Sequence, residues 1–294
     1  MIRLTDPPLT FKAHQSHITA LQFLPDGQDL LTAGMDNLVH QWSLPSWQRK
    51  RTFTGHHKSV NSLALSPNGS QLTTASSDTT VRLWDVDSGE EIRTLGIKGS
   101  HAWLSSQGRY LAALDNPRLS IMQLEQDEVI SRFKPFPKRT TALAFSPIAD
   151  QIALGGQGDD ILVYDLPGLS LVDTIAGAHE GYVLSLAYSP DGERLISTGL
   201  ERRLRFWQSD CWDALGEVTL ENQGVQSLAF SHSGSYLAVA SDHRVSLIDV
   251  TGMQIVQTVD LKPKGVYCLA FSPGDRWFAC GAADKRVRIW DLSI

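Results

Sequence analysis

The chain has 294 residues, with 32 acidic and 26 basic side chains and a formal net charge of −6. No apolar run approaches the ~18 residues of a membrane-spanning helix, and no block of like charge is long enough to read as a nucleic-acid-binding arm. Three cysteines, Cys211, Cys268 and Cys280, are too few for a disulfide framework.

From its start the chain is a succession of four- to six-residue runs rich in Val, Leu and Thr, bounded by turn residues, which is the pattern of short strands joined by tight turns. The first unit begins at Ala13-His14, turns at Leu24-Pro25-Asp26-Gly27 and closes at Trp42. The second is the clearest: Gly55-His56, an alternating run from Val60 to Leu65, the turn Ser66-Pro67-Asn68-Gly69, a second run through Thr74 to Asp78, and a third ending at Trp84-Asp85. A fourth, outer strand is expected at 91–95. The third unit closes at Met122 and has the weakest turn, Ser105-Ser106-Gln107-Gly108. The fourth turns at Ser146-Pro147-Ile148-Ala149 and closes at Tyr164; the fifth turns at Ser189-Pro190-Asp191-Gly192 and closes at Trp207. The sixth turns at Ser231-His232-Ser233-Gly234 and closes at Ile248, and the seventh turns at Ser272-Pro273-Gly274-Asp275 and closes at Trp290. The closing residues lie 38–43 residues apart. A period in the low forties marks a repeat architecture whose units cannot bury both faces alone and must stack on one another. No amphipathic helical stretch interrupts the pattern.

Gly55-His56 with Trp84-Asp85, and Trp-Asp again at Trp290-Asp291, are signatures in which the chain resembles the WD40-repeat β-propellers, and the resemblance covers almost its whole length. It implies an all-β, seven-bladed propeller with four antiparallel strands per blade, in one domain spanning 1–294. The last repeat stops soon after Trp290 and lacks an outer strand, while Leu9-Thr10-Phe11-Lys12 aligns with the end of an outer strand at Arg51-Thr52-Phe53-Thr54. An N-terminal strand at about 7–12 is therefore expected to complete the blade ending at Trp290, closing the ring and covering an open edge.

The histidines tempt a metal or acid-base reading, but His14, His56 and His179 each stand four residues before the first apolar residue of a strand, Ile18, Val60 or Val183. The resemblance implies a buried structural quartet in each case: His14, Thr32, Asp36 and Trp42; His56, Thr74, Asp78 and Trp84; His179, Ser197, Glu201 and Trp207. Other repeats depart from it. The seventh keeps Asp284 and Trp290 but has Lys262 for His. The sixth has Glu221 for His, Asp242 and Ile248. The fourth has Phe136, Gly158 and Tyr164, and the third has neither Trp nor a clear His. Blades three, four and six are expected to be less rigid for it.

Enzyme motifs are missing one by one: no Gly-x-Ser-x-Gly elbow, no His-Glu-x-x-His, no Cys-x-x-Cys. Gly155-Gly156-Gln157-Gly158-Asp159-Asp160 resembles a single unit of a calcium-binding nonapeptide repeat, and such sites need adjacent copies; a glycine-rich hairpin turn is the expectation. Trp84-Asp85-Val86-Asp87 and Trp290-Asp291-Leu292-Ser293 lack the Arg of the Trp-Asp-x-Arg extension found in some ubiquitin-ligase adaptors. No cofactor and no metal are expected. With no apolar leader at the start, the expected setting is reducing and cytoplasmic.

By analogy with the family, function lies on the ring face that carries the turns into the inner strands. There the register selects His17, Thr19 and Met35; Ser59, Asn61 and Ser77; Arg139, Thr141 and Gln157; Tyr182, Leu184 and Leu200; and Gln226, Ser241 and Tyr267. Arg139, Tyr182 and Tyr267 are the leading contacts, since interface hot spots favour Tyr, Trp and Arg, with Met35 and Leu200 as apolar supports. The expected function is a non-enzymatic scaffold that binds protein or peptide partners, a monomeric propeller within a hetero-complex, with no nucleic acid and no membrane insertion. The rival class is a propeller hydrolase or lactonase with a central-channel site. Off the repeat positions, Trp47 and Trp212 are expected to pack between blades, while Trp103 has no predicted place.

Overall fold

The turns between the first and second strands of the repeats share one geometry. Gly27, Gly69, Gly108, Gly192 and Gly234 take φ between +68° and +75°, a region where glycine alone has no Cβ penalty. Each amide donates back across its turn, to Leu24, Ser66, Ser105, Ser189 or Ser231. The degenerate Ser105–Gly108 sequence thus turns as sharply as the others. In the fourth repeat Ala149 stands in the glycine's place, and the amides of Ile148 and Ala149 donate instead to Ser146 Oγ at 3.4 and 3.2 Å.

The computed structural model describes residues 4, 8–221, 224–261 and 265–292. Lys262, Ser293 and the first residue of the expected 7–12 segment lie outside the described residues. The strands form seven four-stranded antiparallel sheets, the blades of a propeller. Blades 1 to 6 occupy 18–53, 60–98, 101–133, 140–175, 183–219 and 225–260, and blade 7 occupies 266–291 together with Leu9–Lys12. The inner strands are Ile18–Phe23, Val60–Leu65, His101–Leu104, Thr140–Phe145, Val183–Tyr188, Val225–Phe230 and Val266–Phe271. Each packs against the next, and the last packs against the first, so the ring is closed. The outer strand of blade 2 runs Glu91–Lys98, longer than the sequence implies. The one helical turn among the described residues is Pro273–Asp275, at the expected turn of the last repeat. No helix is long and apolar enough to cross a membrane.

Ring closure follows the sequence alignment. Leu9–Lys12 pairs antiparallel with Arg286–Asp291, Leu9 opposite Ile289 and Lys12 opposite Arg286. Ahead of that strand, Leu4 is buried among residues of blades 6 and 7, and its backbone exchanges two 2.8 Å hydrogen bonds with the Gln257 side chain on the outer strand of blade 6.

Alternation along the strands sends successive side chains to opposite sheet faces, and in a propeller each face belongs to a different inter-blade core. Leu30, fully buried, packs with Ala279, Val287 and Ile289 of blade 7, while Leu31, equally buried, packs with Val60, Leu72 and Trp84 of blade 2. Cys268 and Cys280 are split in the same way between the cores on the two sides of blade 7, and both are free thiols.

The aromatic residues outside the repeat positions are packed. Trp47 joins the core between blades 7 and 1, 5.4 Å from the Trp277 ring in an edge-on arrangement. Trp212 lies against the core between blades 4 and 5. Trp103 lies against the core between blades 3 and 4, under the His101 ring at 6.0 Å. A regularity missed in the sequence is that the fifth residue after the closing position, Trp47, Gly89, Asp127, Leu169, Trp212 or Met253, always has positive φ. Only one of the six is glycine, so no residue type marks the turn.

The glycine-rich segment is only partly a turn. Gly155 and Gly156 belong to the strand Gln151–Gly156. Asp159 Oδ1 accepts the Gly181 amide at 2.7 Å and Asp160 Oδ1 the Gly177 amide at 2.9 Å. These carboxylates therefore anchor the loop into blade 5.

Candidate partner-binding face

Three of the seven blades carry a complete quartet. In blade 1, Trp42 Nε1 donates to Thr32 Oγ1 at 2.9 Å, Thr32 Oγ1 is 2.8 Å from His14 Nε2, and His14 Nδ1 is 2.8 Å from Asp36 Oδ1. Blade 2 repeats this through Trp84, Thr74, His56 and Asp78 at 2.9, 2.7 and 2.9 Å. Blade 5 does so through Trp207, Ser197, His179 and Glu201 at 2.8, 2.6 and 2.5 Å. A carboxylate only accepts, so the His Nδ1–H donates to it. Nε2 then accepts the hydroxyl proton, and the hydroxyl oxygen accepts the indole N–H. Every polar atom along that line is satisfied with the imidazole neutral. Burial holds His56 and His179 below the usual histidine pKa despite the carboxylates beside them. Burial pushes the Asp78 carboxyl up, but bonds from Thr80, the His57 amide and His56 outweigh it and hold it well below the usual range.

The imidazole needs room. A Cβ built at Gly34 or Gly199 would stand 2.6 Å from Nδ1 of His14 or His179. A Cβ built at the equivalent Gly156 of blade 4 would stand 2.5 Å from the Phe136 ring, so Phe136 fills the histidine's space. Glu221 of blade 6 does not occupy that space. Its side chain is 67% exposed and pairs with Arg244, because an unpartnered carboxylate could not be carried into the apolar interior.

Among the described residues, the His, Cys, Asp and Glu groups that bring three ligand atoms together are His14, Asp36 and His40. Both His14 nitrogens and the Asp36 carboxylate are already engaged in the quartet, and His40 Nδ1 is 2.9 Å from Thr52 Oγ1. Burial above all lowers the His40 pKa to about 4. The ligand atoms of the trio are thus engaged with one another and with Thr32 and Thr52.

The residues selected for partner contact fall at one end of six blades, all but blade 3, because each stands at or beside the start of an inner strand or the end of its paired second strand, as His17 and Met35 flank the Ile18–Gly34 pair. The structure gathers them into two groups. At the junction of blades 7 and 1, the His17 ring stacks on Tyr267 at 5.8 Å, and the Met35 amide donates to the His17 carbonyl at 2.9 Å. At the junction of blades 4 and 5, Gln157 bridges to Tyr182, and its amide donates to the Arg139 carbonyl at 2.9 Å. Arg139 is exposed, and Met35 and Leu200 are each 44% exposed. Gln226 turns to the Gly224 carbonyl of its own loop.

Other members of the set are engaged between blades. Thr19 donates to the Val60 carbonyl and Thr141 to the Val183 carbonyl, each across to the next inner strand. Asn61 donates to Ser77 Oγ at 2.9 Å and to the Ser100 carbonyl of blade 3 at 3.0 Å. These side chains fasten the ring, a role that strand register alone did not distinguish from partner contact.

The family model for the WD domain, G-beta repeat, matches residues 5–43, 47–85, 170–208, 217–249 and 254–291, more than half of the chain. The unmatched stretch covers blade 3 and nearly all of blade 4, where no quartet forms. U3 small nucleolar RNA-associated protein 12 of Saccharomyces cerevisiae is 25% identical over 189 residues, 64% of this chain and 17% of that protein. Pre-mRNA-processing factor 19 of Caenorhabditis elegans is 25% identical over 142 residues, 47% of this chain and 29% of that one. Small ribosomal subunit protein RACK1y of Oryza sativa is 28% identical over 158 residues, 50% of this chain and 46% of that one. The chain thus spans less than half the length of each of these relatives.

Proposed function

Because the chain belongs to the WD40-repeat family, we propose that it is a non-enzymatic scaffold that binds protein or peptide partners as a subunit or assembly factor of a larger complex. The observation that carries this reading is the pair of side-chain groups at one end of the ring: His17, Met35 and Tyr267 on one side, Arg139, Gln157 and Tyr182 on the other. The histidines and acids that would otherwise offer chemistry are closed into quartets. What remains open at that end is aromatic, apolar and guanidinium surface, the kind that anchors protein interfaces. The relatives named above support a setting in multi-component assemblies. The free thiols support a reducing, cytoplasmic compartment.

The test is affinity capture followed by mass spectrometry, comparing the wild type with an Arg139→Ala/Tyr182→Ala/Tyr267→Ala variant that still melts cooperatively. Partners lost from the variant support the reading. Partners retained by both would move binding to another face, and capture of no partner by either would defeat the scaffold reading.

A further inference from the structure

Blade 3 departs from its neighbours at a position that can be followed around the ring. Two residues before the closing residue stand Leu162 in blade 4, Ser246 in blade 6, where its hydroxyl pairs with Thr258, and His40, Arg82, Arg205 and Arg288 in blades 1, 2, 5 and 7; of these last four, His40 lies 4.6 Å from the His14 ring and Arg205 reaches the Ala178 carbonyl beside His179. Three of them are neutralised there: Arg82 by Glu91 at 2.7 Å, Arg205 by Glu217 at 3.3 Å and Arg288 by Asp284 at 2.6 Å. Blade 3 has Ser120 at this position. Only residues 99 and 100 separate the outer strand of blade 2 from the inner strand of blade 3, whereas residues 54–59 separate blade 1 from blade 2. The Gly-His loop that covers the equivalent space elsewhere is therefore missing.

The space left is a pocket of about 230 Å³ between the outer strand of blade 2 and the third and fourth strands of blade 3. Gly96, Lys98, Asp115, Arg118, Ser120 and Arg132 line it. Three cations face one carboxylate, an excess of two positive charges in a chain whose net charge is −6. Among the described residues no ion pair engages Lys98, Arg118 or Arg132, and the one hydrogen bond from these three head groups is from Arg132 to the Gly96 carbonyl at 3.4 Å. The buried Ser120 has no hydrogen-bond partner for its hydroxyl among the described residues.

We propose that this pocket binds a phosphorylated serine or threonine side chain of a protein partner. A phosphate monoester carries close to two negative charges at neutral pH and offers three acceptor oxygens. Arg118 and Arg132 supply planar guanidinium donors suited to it, Lys98 supplies a point charge, and Ser120 supplies a hydroxyl. A nucleic-acid strand would call for a stripe of cations along its backbone, whereas here the excess charge is confined to one pocket sized for a single anionic group. The site adds a contact to the scaffold role proposed above and does not involve Arg139, Tyr182 or Tyr267.

The experiment is an NMR titration of the isotope-labelled full chain with a short Gly/Ala peptide carrying one phosphoserine. Its unphosphorylated form, inorganic phosphate and oligouridylate are the comparison probes. The phosphopeptide is expected to shift the amides of Lys98, Ser120 and Arg132. Arg118→Ala/Arg132→Ala should weaken binding at least tenfold, and Ser120→Gln, which fills the pocket without charge, should abolish it. Asp115→Asn, which removes the one opposing charge, should tighten binding several-fold, a gain that misfolding cannot mimic. Equal binding of the unphosphorylated peptide would overturn the proposal, as would binding that survives Arg118→Ala/Arg132→Ala. Inorganic phosphate binding as tightly as the peptide would make this a free-anion site and overturn the peptide assignment. Tighter oligouridylate binding with the same shifts would overturn it in favour of nucleic acid.

Discussion

Arg288 holds Asp284 from four residues along the same segment, its Nη2 2.6 Å from the carboxylate. In blades 1, 2 and 5 the turn acid is held by a histidine from the preceding loop. In blade 7 the closing strand itself reaches back to perform that task. Both side chains are largely buried, at 9% and 14% exposure. Arg288→Ala should therefore cost roughly 1–3 kcal/mol through a largely buried carboxylate left with only the Arg286 amide as donor among the described residues. Thermal melting of the purified variant checks this, and an unchanged midpoint would show that the pair contributes nothing.

The same blade lacks the hydroxyl of the quartet. Cys280 stands where Thr32, Thr74 and Ser197 stand elsewhere, and the buried Trp290 Nε1 has no hydrogen-bond partner among the described residues. Cys280→Ser should supply the acceptor and raise stability by about 1 kcal/mol. Denaturant unfolding measures it, and a lowered midpoint would refute the equivalence of the positions.

In blade 2, Thr74 Oγ1 serves both Trp84 and His56. Thr74→Val keeps the shape but orphans two buried groups, at roughly 1–3 kcal/mol for each. Thr79→Val, in the exposed turn close by, should be near neutral. Equal melting temperatures for the two variants would argue against the network.

The buried imidazoles give the fold a definite pH dependence. His40, His56 and His179 have folded pKa values below the histidine norm of 6.5, that of His40 at about 4. In the unfolded chain they take up protons near pH 6.5, while in the folded chain they stay neutral. Their contribution is thus fully present above pH ~6.5 and is lost as the pH falls toward their folded values, with His40 alone accounting for about 1.4 kcal/mol per pH unit in that window. Melting temperatures should fall from pH 7 to pH 5, and His40→Gln should flatten the slope.

Blades 3, 4 and 6 have no His-to-hydroxyl-to-indole chain tying their strands, and are expected to exchange backbone amide hydrogens faster than blades 1, 2 and 5. Their apolar clusters are each shared between two adjacent blades, so the difference should appear as local opening rather than loss of the ring. Uniform protection across all blades would remove the quartets as the source of rigidity.

The sequence by itself determined the strands, the turns, the count of seven and the members of the three quartets. Each of these is written locally, in two-residue alternation, in glycines that accept positive φ such as Gly69 and Gly192, and in a spacing that repeats. It also determined ring closure, because Leu9–Lys12 matches an outer strand that the last repeat lacks. Tertiary structure alone decided which polar side chains at that end of the ring stay open and which are engaged between blades. Thr19 and Asn61 read as surface residues from their register, yet each reaches a backbone carbonyl of the next blade some forty residues away. Glu221 aligned with the histidines and lies outside in solvent, since burying a carboxylate needs a partner that blade 6 does not place there. The pocket around Ser120 depends on a short connection, a small side chain and three cations from two blades, brought together by the stacking of neighbouring sheets and by no local pattern.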